Sequence, residues 1–329
     1  FAANKALVSK IDRDRYMAVV EKQYLDKMIK SRFEVLDSVT IARSRKHIEQ
    51  YYDTADIGKF PTRLSPISRR PHLTDLNSAI NYNEIYTLLS SLNLAIYTPS
   101  DFILQSCLSK YVSISSEEEY SGLTMKGRER GIRKLMSINL LKRLESSVNS
   151  FRLSLERILG FISSTVEKIN FIMKGQGGAH TLVDEYDFSS GLDLDEQEDI
   201  FIGGKKTQIA LEDMDYIAWK SYLDKDIETL KLLLLMLEDI TPEHDSKLQQ
   251  LIEDLRHKFA NPINGNNKKV IIFTAFSDTA EYLYENLAER IKDNCGLHTA
   301  LITGSADAKS TVRLSSRQRV KLDFNTLLT

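Results

Sequence analysis

A mainly α chain that closes with a partial α/β unit is the fold class this sequence predicts, and three observations predict it. Apolar residues recur at alternating three- and four-residue steps at Leu141, Leu144, Val148, Phe151, Leu155, Ile158, Ile162, Ile169 and Ile172, with Thr165 the one polar exception, the seam of a helix packed along a partner. The same spacing returns at Tyr216, Trp219, Leu223, Ile227, Leu230, Leu234 and Leu237, and it continues at Leu248, Leu251, Leu255 and Phe259. After Asn261-Pro262 the pattern changes to strand, helix, strand: residues 270–276 are β-branched and aromatic, 278–292 are amphipathic, and 298–303 form a second strand. The expected architecture is a long antiparallel helical arm followed by a βαβ unit of a parallel sheet.

In chain order, residues 10–50 carry apolar positions at helical spacing without a proline and read as helical. Residues 51–76 contain Pro61, Pro66 and Pro71, three of the six prolines, and read as an extended connector with a boundary near Thr74. Residues 81–109 read as two helices broken at Thr98-Pro99-Ser100, with Ser100 capping the second. The heptad-like seam predicts one continuous helix from near Met125 to about Ile172, about 70 Å long at roughly 1.5 Å per residue. Its stripes fit a protruding arm or the core of an ordinary bundle. Between the two arm helices, residues 175–204 carry eight acids and no lysine or arginine, a solvated acidic tip that could also dock a partner. In the last segment Ala280, Leu283, Tyr284, Leu287 and Ile291 form the inward face of the amphipathic helix, and a further helix is expected over 312–324. Three domains follow: 1–75, 76–262 with its tip near 175–204, and 263–329.

Composition narrows the function. With 329 residues, 42% hydrophobic and 27% charged, the chain is long enough for two globular domains. A formal net charge of -2 argues against nucleic-acid binding by bulk charge, so any such contact must be local. Cys107 and Cys295 are too few for a disulfide scaffold. They read as small buried hydrophobes of a cytoplasmic protein. No apolar run approaches the roughly 20 residues of a membrane span. The six histidines lack metal-site spacing and read as surface or cap residues. Gly203-Gly204-Lys205 lacks the first glycine and the hydroxyl of a phosphate-binding loop. Phe1 opens without an initiator methionine and residues 325–329 stop without a cap, so both ends read as cuts through a longer chain.

Two groups of residues suggest chemistry. Thr274 and Ser277 close the first strand, and Thr303, Gly304 and Ser305 close the second. This sets hydroxyls and backbone N–H groups at the carboxyl edge of the expected sheet, where α/β folds bind ligands. Such groups suit phosphodiester oxygens, and they equally suit ordinary helix caps. The second group is the basic cluster Lys126, Arg128, Arg130, Arg133, Lys134, Lys142 and Arg143, able to neutralise phosphates or, with Glu129 and Glu145 interspersed, to form a solvated helix face.

The run KKVIIFTAFSDTAEYLYENL at 268–287, with ITGSA at 302–306 and RQRVKLDFN at 317–325, resembles the opening of the second RecA-like lobe of Swi/Snf-type superfamily-two ATPases. VTIARSRKHIEQYY at 39–52, followed by FPTR at 60–63, resembles the end of their first lobe, with Arg43 and Arg45 at the matching basic positions. LLKRLESSVNSFRLSLERI at 140–158 is similar to the long-helix signature of the bacterial RapA-like branch. The resemblance implies a DNA translocase or helicase that couples ATP hydrolysis to movement on duplex DNA or to remodelling of protein–DNA complexes. By the same resemblance, Thr274, Ser277, Thr303, Gly304, Ser305, Arg317, Arg43 and Arg45 contact the DNA backbone, and RNA polymerase or phage-defence proteins are partners. ATP and Mg²⁺ serve the full-length protein, whose nucleotide motifs lie outside these residues, and no catalytic residue is assigned here. A helical scaffold without motor activity is the alternative from a different class, and a complete protein stripped of its motor is a third.

Overall fold

The computed structural model describes residues 48, 60, 64–76, 80–115, 125–175, 182–183, 209–263, 265–304 and 308–312. The chain divides into two units, Phe1–Arg69 and Arg70–Thr329. In the first, residues 64–69 have no regular structure and are exposed; the helix expected over 10–50 lies outside the described residues apart from helical Ile48. Everything below concerns the second unit.

Its described part is mainly helical. Helix α1, Tyr82–Ser91, starts at a reciprocal cap: Asn81 Oδ1 accepts from the Asn83 and Glu84 amides at 3.0 Å, and Glu84 Oε2 accepts from the Asn81 amide at 2.9 Å. The chain then turns at Leu94, which is buried with φ 50°, a left-handed conformation that a leucine adopts only under outside constraint. Asp226 supplies it, its carboxylate accepting from the Asn93 amide at 2.7 Å and the Ala95 amide at 3.0 Å. Burial pushes the Asp226 carboxyl up, against the pull of these amides.

Two 3₁₀ turns, Ala95–Tyr97 and Pro99–Phe102, replace the helix start expected at Ser100, and helix α2 begins only at Leu108–Ser115. Ser100 is fully buried and is drawn away from a cap role by Glu129, which accepts from its hydroxyl at 2.5 Å and its amide at 3.1 Å.

The arm helix expected to be continuous is two helices, α3 (Met125–Ser146) and α4 (Val148–Met173). Ser147 separates them in an extended conformation, φ -160° and ψ 152°, its hydroxyl accepting from the Ser150 amide at 3.0 Å. A serine offers the backbone this alternative to the helical ladder, while the apolar stripe runs past it unchanged. Helix α5, Tyr216–Leu237, is the partner of α4. Arg152, near the start of α4, donates to the Leu237 and Ile240 carbonyls at the end of α5 at 2.7 and 3.0 Å. At the other end the two-residue strands β1 (Leu182–Val183) and β2 (Ile209–Ala210) pair antiparallel, so α4 and α5 run antiparallel as expected. The core between them holds Phe151, Leu155, Ile162, Ile169, Trp219, Leu223, Leu230 and Leu237, none more than 0% exposed.

Helix α6, Ser246–Ala260, is capped by Asp245, and with helix α7, Ser277–Cys295, it forms a smaller core of Leu248, Ile252, Leu255, Tyr282 and Leu287. Gly296 ends α7 at φ 65°, its amide bonding the Lys292 carbonyl, the left-handed cap that favours glycine.

The parallel sheet is not seen. Residues 270–276, expected as the first strand, have no regular structure, with a bend at Ala275, and pair with no described strand. Strand β3 (Ala300–Leu301) instead pairs antiparallel with β4 (Lys309–Ser310). Local pairing wins here because a short hairpin closes with little entropy loss, whereas a parallel partner must be brought from farther along the chain. The helix expected over 312–324 and most of the acidic tip lie outside the described residues. Cys295 is exposed rather than buried, because it stands in the last turn of α7, beyond its packed face; Cys107 is half-buried.

Candidate nucleic-acid interface

Four of the eight candidate backbone-contacting residues meet at one place. Thr274, Ser277, Thr303 and Gly304 all line a cleft of about 300 Å³ between residues 272–276, which lead into α7, and residues 299–304. Its floor is the face of α7 formed by Ala280, Leu283, Tyr284, Leu287 and Ile291, the five positions that helical spacing assigned inward. The remaining four candidates, Ser305, Arg317, Arg43 and Arg45, lie outside the described residues.

The four hydroxyl and glycine positions are not equivalent. Thr274 Oγ1 donates to the Phe276 carbonyl at 2.6 Å and accepts from the Phe276 amide at 3.1 Å, so its hydroxyl chiefly closes the turn into α7. Ser277, half-buried, is the first residue of α7, and the preceding Phe276 provides no side-chain cap. Among the described residues no side chain caps the first-turn amides of α7, which stand beside a serine hydroxyl, a combination that favours an anion.

Behind this helix start lies an ion cluster that sequence reading did not find. Arg157 binds Asp278 through both nitrogens, Nη1–Oδ2 at 2.8 Å and Nη2–Oδ1 at 2.9 Å. Arg143 adds Nη1–Oδ2 at 2.8 Å and donates to Ser150 Oγ at 3.2 Å. The Arg143 guanidinium also stands over the Phe276 ring at 4.6 Å. Next to it, Thr279 Oγ1 meets Ser146 Oγ at 2.8 Å and Ser147 Oγ at 3.1 Å. The α3–α4 break is thus pinned directly to the first turn of α7. One turn farther along α7, the Tyr282 hydroxyl donates to Asp245 Oδ2 at 3.0 Å, and burial with the Asp245 charge pushes that phenol up.

Arg143 therefore leaves the basic cluster: it is 3% exposed and committed to Asp278. In sequence it is one cation among several, and Asp278 reads as a favourable acid in a first helical turn. Only the positions of Ser147 and Ser150 across the break, with a threonine and an aspartate opening α7, hinted that polar groups were to be buried together.

The cluster sets a pH dependence. Burial, the largest single influence, pushes the Asp278 carboxyl up, but the Arg157 and Arg143 charges together outweigh it and hold it below the ordinary carboxylate value. A carboxyl lowered in the folded state contributes stability that is complete above its unfolded value of about 3.9 and is lost as pH falls through the folded value. Asp226 has the opposite sign, so the difference between wild type and Asp278→Asn isolates this contribution. Urea unfolding is expected to show a constant gap between the two from pH 7 to 5 and a shrinking gap below about pH 4. A gap that persists unchanged to pH 2 would show that the carboxylate charge is not what holds the junction.

No family model, curated protein or solved structure matches the chain.

Proposed function

We propose that these residues form the middle of a Swi/Snf-type superfamily-two ATP-dependent DNA translocase: the end of a first RecA-like lobe, a helical protrusion, and the opening of a second lobe. The observation that carries this reading is the cleft over α7. Two segments that carry Thr274 and Thr303 near their ends flank one apolar helix face, and Ile271, Ile272, Phe273 and Ile302 stay 54%, 42%, 83% and 40% exposed. Parallel sheets are ordinarily buried on both faces, so an α/β lobe completed by further strands would account for apolar side chains left open here. On this reading the open α7 start, with Ser277, Thr274, Thr303 and Gly304, holds the DNA backbone without reading sequence. The protein works in the cytoplasm, and RNA polymerase or phage-defence proteins remain candidate partners by resemblance.

ATP and Mg²⁺ belong to the cycle of the whole motor. Among the described residues no three His, Cys, Asp or Glu side chains gather into a metal site, and Asp278, behind the start of α7, is bound by two arginines. No hydrolytic step is assigned to the described residues.

The test compares ATP hydrolysis, with and without duplex DNA, by this chain and by a protein extended on both sides through the neighbouring coding sequence. DNA-stimulated hydrolysis only in the extended protein is the expected result. Inactivity of both, or flanks without nucleotide motifs, sinks the motor reading. It would leave a helical scaffold, which the continuous core joining α3, α4 and α5 favours.

A further inference from the structure

The basic face of α3, set aside by the reading above, has a regular geometry. Lys126, Arg130, Lys134 and Lys142 lie on one four-residue ladder along the helix, interrupted only by Ile138, with Arg133 beside it. The opposite face is buried through Glu129, Met136, Leu140, Arg143 and Leu144, so Arg130, Lys134 and Lys142 are held outward by packing as the ladder winds along the helix, with Lys126 half-buried at its far end. Of the two acids interspersed with it, Glu129 is turned inward to Ser100, and Glu145 is exposed beyond the Lys142 end of the ladder. Asp101 reaches Lys126 at 3.8 Å and Arg130 at 3.4 Å, long contacts that leave both cations largely solvated. Arg133, Lys134 and Lys142 are exposed and make no ion pair among the described residues.

We infer that this ladder is a phosphate-tracking surface for duplex DNA that extends the cleft interface outward. The inference rests on the DNA reading above and adds a second contact element to it. Continuity supports it: Arg143, next to Lys142 in sequence, binds Asp278 behind the α7 start and stands over Phe276, which lines the cleft, so the Lys142 end of the ladder lies near the start of α7. From Lys142 back to Lys126 the charges span about 24 Å at roughly 1.5 Å per residue. A duplex presents one phosphate per 3.4 Å or so on each strand, an extended regular polyanion that matches an extended regular row of cations. Contacts of these cations with phosphates carry no sequence information, so binding is expected to be alike on unrelated duplexes.

The test uses the 329-residue chain, fluorescence anisotropy, and two 30-base-pair duplexes of unrelated sequence, titrated across salt. The variants are Arg133→Ala/Lys134→Ala/Lys142→Ala, all at exposed positions, and Ser277→Ala, with circular dichroism melts confirming that each folds. For the triple variant the expected result is an affinity loss of roughly tenfold or more at about 0.1 M salt on both duplexes. The slope of log affinity against log salt should flatten by about 2 to 3, near 0.9 per phosphate contact. Unchanged binding by the triple variant, with binding weakened in Ser277→Ala, overturns the ladder and leaves the DNA reading standing. Binding of polyglutamate without binding of DNA assigns the ladder to an acidic protein partner and overturns it. No DNA binding by the wild-type chain overturns both.

Discussion

Replacing Asp278 with alanine is expected to destabilise the second unit by about 3–5 kcal/mol, the usual cost of removing one partner from a buried ion pair. The cost falls on Arg143, which at 3% exposure would stay charged beside Phe276 and Ser150 with its carboxylate gone. Arg157, at 34% exposure, can turn toward solvent and contributes less. The single tryptophan, Trp219, lies at the centre of the bundle and offers an intrinsic fluorescence readout of urea unfolding for this variant. The double variant Arg143→Met/Asp278→Ala should recover much of the loss, because an apolar side chain in the same volume leaves no buried charge. If the single variant unfolds at the wild-type urea midpoint, the cluster does not hold α7 to the α3–α4 junction.

The other large effect is expected at Trp219 itself. Its side chain is fully buried, packs beside Phe102 with ring centroids 6.3 Å apart, and donates from Nε1 to the Ala95 carbonyl at 3.0 Å. Trp219→Ala should cost about 3–5 kcal/mol from lost burial and the cavity left behind, with a further ~1–3 kcal/mol for the stranded carbonyl. Trp219→Phe keeps most of the volume and should lose mainly the hydrogen bond. Urea unfolding followed by circular dichroism separates the two. Equal losses in both variants would mean that the bond to Ala95, and not the packing, dominates.

The helical half of the fold was legible because burial and periodicity agree there. Leu144, Val148, Phe151, Leu155, Ile158, Ile162 and Ile169 are all buried where their spacing placed them, as are Trp219, Leu223, Leu230 and Leu237. The break at Ser147 was not legible, since a polar residue off the apolar stripe does not disturb it. Its reason to bend lies with Thr279, 132 residues away. Ser100 misled for the same cause: its partner Glu129 lies on another helix. In the α/β part, residue types foretold an apolar face on α7, but of Ala280, Leu283, Tyr284, Leu287 and Ile291 only Leu287 is buried, and residues 270–276 form no strand. Residue types could not foretell the pairing, which depends on which strands lie side by side. The candidate contacts were partly legible: strand-end hydroxyls gather at one cleft, but local turn geometry occupies Thr274 and leaves Ser277 open.

The junction also sets an order of assembly during synthesis. Asp278 lies 135 residues after Arg143 and 121 after Arg157, so at roughly 5–20 residues per second the cations wait on the order of ten seconds for their carboxylate. Until then α3 and α4 can pack on each other but must keep Arg143 solvated. The bundle can therefore reach its buried, bent form only after α7 has left the ribosome, and the Ser147 junction is completed late in folding.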